Sequence, residues 1–396
     1  MAMRIAFVVQ RYGVEVLGGA ESLAREVAEH LTPFIDVDVI STCAVDYRTW
    51  ENVYPPGETI LNGVCVHRFA CDTPRSPDFD QHYTNVLTNP QASLLDEIDF
   101  MKAQGPNSSG LLRFLRDNHT RYALFIFVGY LYFQTYFGLQ LAPQRSILLP
   151  TAHDELPLRL SLLNTVFSLP KGFIYLAPEE QQLIQKKFHV PDHVPQAVIG
   201  GGITLPTQPN IEAFRSKYNL SERYVLYTGR IDTSKKCDEL FNWFQRFAAE
   251  RPNDVILACT GKDEIPIPQT DKIRFLGMVP ETDKFAAMAG AELFIMPSMF
   301  ESFSIASLEA WACRTPLLAN ALGPVVRGHC VRSNGGLYYK GYDEFADCLS
   351  LLLNDGSLRT KLGRNGHAYV QDNYAWDVVT QRYLAFINNV LPYRWV

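Results

Sequence analysis

The sequence predicts an α/β protein of two doubly wound domains, each a mostly parallel sheet covered by helices on both faces. Three observations lead there. At 396 residues the chain is too long for one ordinary core. Short apolar runs without alternation, such as Arg4–Gln10 and Leu293–Pro297, recur between amphipathic stretches in both halves, as strands buried on both faces do. Between the halves lies VPQAVIGGGITLPTQPN, whose Gly200-Gly201-Gly202 and three prolines (195, 206, 209) suit a connection rather than an element. These features place domains at 1–200 and 201–375, with a helical segment at 376–396.

Taken in order, the first domain begins with strand Arg4–Gln10, a loop, helix Ala20–Leu31 and strand Val37–Ser41. Residues 42–92 are rich in Pro, Asp, Asn, Thr and Tyr and read as loops with short strands, Val64–Phe69 among them. Residues 93–117 read as helical, and Leu124–Val128, Ser146–Pro150 and Phe173–Leu176 as further strands. The second domain starts with strand Tyr224–Thr228, helix Cys237–Glu250 and strands Val255–Thr260 and Ile273–Phe275. Helix Glu281–Ala289, strand Leu293–Pro297, a helix near 304–313 and strand Pro316–Ala319 follow. Helical patterns then cover 343–354, 357–371 and 376–390.

Composition excludes several classes. A net charge of −6 and a pI near 5.9 argue against a nucleic-acid binder and a strongly polybasic membrane surface. The eight cysteines are scattered without CxxC, which suits a reducing compartment. The run Tyr122–Phe133 is about half of what a membrane span needs and reads as a buried strand leading into Gly129. The N-terminus has no signal-peptide pattern and reads at once as a strand. A cytoplasmic protein is expected, with at most peripheral contact at the inner face of a membrane. The nine histidines show no HExxH spacing, so no metal site is expected. Asn107-Ser108-Ser109 and Asn118-His119-Thr120 match the glycosylation sequon and carry little meaning without a secretion signal.

The chemistry-bearing residues gather at the C-terminal ends of strands, where open α/β sheets bind ligands. Glu301 and Glu309 stand eight positions apart in ESFSIASLEAW, the first at a strand-to-helix turn and the second inside the helix. At ~1.5 Å rise per residue they are separated by up to about 12 Å. A retaining glycosidase pair needs about 5–5.5 Å. The wider spacing suits gripping the hydroxyls of two sugar rings, with a helix start between them for phosphate. Ser302 or Ser304 can cap that helix. Thr228-Gly229-Arg230 ends a strand, and Lys235 and Lys236 precede the next helix. This basic group fits either a diphosphate grip or a solvated loop. Gly18-Gly19-Ala20-Glu21 opens the first helix without the GxGxxG spacing. It fits either a close approach to phosphate or sugar, or an ordinary glycine turn in which Glu21 is an acid of the first helical turn. His153-Asp154 follows Ser146–Pro150 and fits either a substrate contact or a turn pair that starts a helix. Tyr130, Tyr132, Phe133, Tyr136 and Phe137 form a cluster that suits core packing or an acceptor platform.

Together these residues resemble the retaining GT-B glycosyltransferases of family GT4, also termed glycosyl transferases group 1. The likeness is carried by TGRIDTSKK, by IRFLGMVPETDKFAAMAGAELFIMPSMFESFSIASLEAWACRTPLLAN and by the closing YAWDVVTQRYLAFINNVL. In the first half it is confined to RIAFVVQRYGVEVLGGAE and LLPTAHDELPL.

The resemblance implies an acceptor-side domain at 1–200, a nucleotide-sugar domain at 201–375, a central cleft between them and a terminal helix crossing back to the first domain. It implies transfer of a hexose from a UDP- or GDP-linked donor to a hydroxyl acceptor (a glycan, a lipid-linked sugar or a small molecule). It implies retention, no metal and no other cofactor. Arg230 and Lys236 would neutralise the diphosphate, with Gly229 at the strand end and Lys235 as the rival for the lysine role. Glu309 would hold the ribose and Glu301 the transferred sugar. The N–H groups of Ser304 and Ile305 would meet the distal phosphate, Gly18 and Gly19 would approach from the other domain, and His153 would lie near the sugar. Two residues depart from the pattern: Ser304 stands where glycine is usual, and Cys237 where glycine often follows the lysine. The competing readings are a GT-B epimerase, a phosphorylase and a non-catalytic sugar-nucleotide-binding paralogue.

Overall fold

The computed structural model describes residues 3–16 and 18–391. The chain divides into two compact units, Met1–Gly202 with Val379–Val396, and Ile203–Val378.

The first unit is an eight-stranded sheet. Its strands are β1 (Arg4–Val8), β2 (Asp36–Thr42), β3 (Gly57–Leu61), β4 (Val64–Phe69), β5 (Leu124–Val128), β6 (Ser146–Leu149), β7 (Gly172–Tyr175) and β8 (Gln196–Val198), in the spatial order β3-β4-β2-β1-β5-β6-β7-β8. All pairs are parallel except β3 with β4. The chain starts in mid-sheet, winds outward through β2 and β4, then returns to β5 on the other side of β1. That reversal leaves a crevice beyond the carboxyl ends of β1 and β5. The five residues of β5, LFIFV, are all buried, as a doubly covered strand requires.

Sequence and structure differ here in instructive ways. Residues 42–92 hold a helix, Phe79–Thr88, besides the short strands; Phe79 packs on Phe100 and is buried. The expected helix over 93–117 is two helices, Leu94–Gln104 and Ser109–Asn118, broken at Gly105-Pro106. Proline removes the N–H and Gly105 takes a positive φ of 66°. The apolar run from Tyr122 stops being strand at Val128, and Phe133–Leu139 is helical. Gln196–Val198, placed in the connection by its prolines, is the edge strand β8. The helix Trp376–Val390 joins this unit from Val379 onward, and the Tyr383 hydroxyl donates to the Gly200 carbonyl at 3.1 Å.

The second unit is a six-stranded, wholly parallel sheet. It comprises β9 (Arg223–Thr228), β10 (Val255–Thr260), β11 (Ile273–Phe275), β12 (Phe294–Met296), β13 (Leu317–Asn320) and β14 (Gly336–Tyr339), ordered β11-β10-β9-β12-β13-β14. The winding reverses between β9 and β12, so the loops after those two strands flank this unit's crevice. Three elements have weak local signals and were not expected: helices Ile211–Lys217 and Pro324–Ser333, and strand β14. The core is aliphatic and aromatic, with Phe244, Leu257, Ile295 and Phe345 fully buried. Cys259 belongs to it, whereas Cys313 is only partly buried.

One tight approach sets this unit's outer packing. Helix Gly356–Tyr374 crosses so near the turn at Arg314 that a Cβ on Gly363 would lie 2.0 Å from the Arg314 carbonyl oxygen. Alanine in a free helix is favoured over glycine by roughly 0.5–1 kcal/mol. At this contact the sign reverses. Gly363→Ala is expected to lower the unfolding midpoint, and an equal or higher midpoint in thermal denaturation would show that the helix can retreat.

Candidate functional site

In the second unit the predicted residues converge on the β9–β12 crevice. Strand β9 ends at Thr228, and Gly229, with φ +151°, turns the chain outward. The Tyr227 hydroxyl holds the Arg230 carbonyl at 2.7 Å. The Arg230 guanidinium bonds Asp232, whose other oxygen accepts from the Ser234 hydroxyl at 2.7 Å and from the Lys235 N–H at 2.8 Å. Burial opposes ionisation of Asp232. The hydrogen bonds of Ser234 and Lys235, with the charge of Arg230, outweigh it and hold the carboxyl below its usual range. Asp232 therefore shapes the basic loop.

The two lysines diverge. Lys235 reaches back, and its ammonium bonds Glu301 at 2.6 Å. Lys236 takes the left-handed conformation, φ 61°, at the start of helix Cys237–Glu250, and its ammonium lies 3.9 Å from Glu239 on that same helix.

Glu301 leaves the end of β12, and Glu309 lies inside helix Ile305–Ala312. Phe303, between them, packs edge-on against His329 and Tyr374 and pins the turn. Burial pushes His329 down to about 3, so this imidazole is neutral and acts as packing. Ser304 sits at φ 63°, ψ 61°, the conformation glycine adopts without cost. This gives a physical reason for glycine at that position. The expected Ser304 side-chain cap is absent; its hydroxyl pairs with the Ser307 hydroxyl at 2.8 Å. Ile305 opens the helix, where first-turn N–H groups lack intrahelical partners.

Lys284, from helix Glu281–Gly290, bonds Glu309 at 2.5 Å. Burial raises the Glu309 carboxyl above its ordinary value, and the Lys284 charge counters that. Nothing in the spacing of PETDKF singles out Lys284; only the packing of its helix against helix Ile305–Ala312 brings it there. Each of the two glutamates thus faces an ammonium group.

In the first unit, Gly18 and Gly19 follow β1 as expected. A Cβ on Gly18 would lie 2.3 Å from a Glu21 carboxylate oxygen, whereas one on Gly19 would meet nothing within 4 Å. Only Gly18 is required by space. Glu21 is more than a first-turn acid: it is buried, paired with Arg11, and accepts from Gln10 at 2.8 Å. Arg11 in turn donates to the Val45 carbonyl at 2.7 Å. His153 lies past the end of β6, with its ring 3.4 Å from Glu155. The Tyr130 hydroxyl also donates to Glu155, at 2.7 Å. Of the aromatic cluster, Tyr130 and Tyr136 are buried in the core, and the Phe133 and Phe137 rings meet at 4.6 Å, tilted by 47°.

The fold is that of the GT-B glycosyltransferases. Sucrose-phosphate synthase from Thermosynechococcus elongatus superposes with a TM-score of 0.70 at 18% identity, over 98% of this chain and 99% of that one. Anabaena HepE in complex with UDP-glucose gives 0.70 at 14% identity, over 98% and 100%. Residues 210–369, within the second unit, match the model of the family described as glycosyl transferases group 1. Sequence likeness to curated proteins points the same way. A GDP-mannose-dependent mannosyltransferase that acts on a monoacylated phosphatidylinositol monomannoside, from Corynebacterium glutamicum, is 25% identical over 48% of this chain and 54% of its own. A D-inositol 3-phosphate glycosyltransferase from Salinispora arenicola is 38% identical over 41% of each. The chain spans about half the length of these relatives or less.

Glu180 holds the His153 loop. It is fully buried, and its two oxygens accept the Ala152 and Leu176 N–H groups at 2.6 Å each, tying the ends of β6 and β7 together. Burial pushes this carboxyl from 4.5 up to about 8, against those two hydrogen bonds. Between these values the unfolded chain releases the proton and the folded one keeps it, so stability falls as pH rises from about 4.5 to about 8. The slope approaches about 1.4 kcal/mol per pH unit. Glu180→Gln is expected to remove that component, read as denaturation midpoints between pH 5 and 9. Parallel pH profiles for wild type and variant would contradict it.

Proposed function

We propose that this protein is a retaining glycosyltransferase that moves a hexose from a UDP- or GDP-linked donor to a hydroxyl acceptor. The observation that carries the proposal is the Lys235–Glu301 pair beyond β9 and β12, beside the pair that Glu309 of the following helix makes with Lys284. A sugar nucleotide presents hydroxyls, a diphosphate and ribose hydroxyls in that order. The site presents a carboxylate, a basic loop with a helix start, and a second carboxylate.

In this reading Glu301 accepts from the transferred sugar and Glu309 from the ribose. Arg230 and a lysine neutralise the diphosphate as charge develops on the leaving nucleotide, and the Ser304 and Ile305 N–H groups meet the distal phosphate. The placement of Lys235 against Glu301 favours it over Lys236 for that lysine. His153 lies near the sugar, and Gly18 and Gly19 let backbone approach the donor or acceptor. Attack on the donor face that the leaving phosphate occupies gives retention, with that phosphate helping to take the acceptor proton. The fixed cations supply the charge that a metal would otherwise provide. Acceptors are glycans, lipid-linked sugars or small molecules, as in cell-envelope polysaccharide assembly. The setting is the cytoplasm, with at most peripheral membrane contact. Among the described residues no helix is long and apolar enough to cross a membrane.

Release of nucleoside diphosphate from UDP- and GDP-sugars tests this. Glu301→Ala should lower turnover by about 10- to 100-fold, the worth of a hydrogen bond to a charged group, while free nucleoside diphosphate still binds as in wild type. Glu309→Gln should weaken nucleoside diphosphate binding itself by about 10-fold or more. Lys235→Ala should be hit harder than Lys236→Ala. Unchanged affinity in Glu309→Gln would remove its ribose role, and the reverse lysine order would return the phosphate role to Lys236. No release from any donor by wild type would leave a binding protein rather than a transferase.

A further inference from the structure

A second cluster of reactive groups lies in the first unit, on the strands beyond β1. Strand β4 runs parallel to β2 with Cys65 opposite Asp38, and antiparallel to β3 with His67 opposite Glu58. Cys65 and His67, two apart on one strand, share a face, and their partners share it with them. The His67 Nε2 lies 3.2 Å from an Asp38 carboxylate oxygen and 3.7 Å from the Cys65 sulfur. One donor atom from each of the three residues lies within 4.8 Å of the others. Asp38 and His67 are buried and Cys65 is partly so.

The two His67 separations, 3.2 and 3.7 Å, lie close to those around a tetrahedral zinc ion, and Asp38 and Cys65 stand within 4.8 Å of each other. With Zn–O and Zn–N of about 2.0–2.1 Å and Zn–S of about 2.3 Å, neighbouring ligand atoms stand roughly 3.3–3.6 Å apart. The surroundings match as well. Glu58 sits 3.2 Å from the other His67 nitrogen, Nδ1, and so turns Nε2 toward Asp38 and Cys65. A carboxylate on the far nitrogen is the usual support of a metal-bound histidine. The Tyr122 hydroxyl donates to Asp38 at 2.8 Å and fixes its rotamer. Glu58 and His67 also line an open cavity of about 420 Å³ beside the cluster. Arg4, 3.9 Å from Asp38, opposes a cation, but it is 40% exposed and its charge is screened.

We propose that Asp38, Cys65 and His67 bind a zinc-class divalent cation through one oxygen, one sulfur and one nitrogen, with water in the fourth place. The ion would join β2 to β4 near the edge of the sheet. The sequence conceals it because local spacing is the usual sign of a metal site, and here the ligands are assembled across two strands.

Titration of the chelator-treated full-length chain with Co²⁺ tests the proposal. One ion per chain is expected, with a thiolate-to-cobalt charge-transfer band that Zn²⁺ abolishes by displacement. Cys65→Ser should lose the band, and Cys71→Ser should keep it. Glu58→Gln, at an exposed position, should weaken binding by about 10- to 100-fold without disturbing the fold. Absence of the band in wild type, or an unchanged band in Cys65→Ser, would overturn the site and leave an Asp–His hydrogen bond beside an inert thiol.

Discussion

The second unit depends on how it keeps carboxylates out of water at the end of a parallel sheet. A carboxylate as largely enclosed as Glu309, 13% exposed, is costly unless a cation and hydrogen bonds meet it. Lys284 does so from a neighbouring helix, and Lys235 does the same for Glu301. Removing one partner of such a pair leaves an unmatched charge in a partly enclosed setting, which is destabilising. The positions of the loop after β9, the turn after β12 and the two flanking helices are therefore mutually constrained. The same groups present to a ligand an alternation of negative and positive charge.

The sheet order explains why this alternation occurs where it does. Only at the reversal between β9 and β12 do adjacent loops turn to opposite faces and open a crevice. Arg230, Lys235 and Glu301 follow those two strands. In the first unit, Gly18 and Tyr130 follow β1 and β5, which flank the equivalent reversal. Support around the sites is provided by buried or half-buried groups that touch no ligand in this scheme. Asp232 folds the basic loop, Phe303 pins the glutamate turn, Arg11 and Glu21 lock the first helix, and Glu180 ties two strand ends beside His153.

Much of the alternating architecture was legible because strands buried on both faces are continuously apolar, as in LFIFV and VILACT, and because the helix at Cys237–Glu250 has a clear amphipathic period. The failures have equally local causes. The prolines and glycines of the connection hid the edge strand β8, Gly105-Pro106 split one apparent helix into two, and GLYY and PVVRGHCVRS carry patterns too short or mixed to read. At the site, Glu301, Glu309, Arg230 and the lysines stood out by position after strands. Lys284, Asp232 and Glu180 did not, since their roles arise from contacts between elements distant in sequence. The choice between two adjacent lysines could not be read from spacing; in the structure Lys235 bonds Glu301, and Lys236 lies beside Glu239.

The central claim is that the paired charges beyond β9 and β12 form a diphosphate-centred site. Calorimetric titration of the full chain with UDP- and GDP-sugars, their nucleoside diphosphates and the parent nucleosides tests it most directly. The account predicts saturable one-to-one binding of one donor series, with the diphosphate tighter than its nucleoside by about 10-fold or more, as charge-assisted hydrogen bonds imply. Equal affinity for nucleoside and nucleoside diphosphate, or no binding of any donor at millimolar concentration, would contradict it.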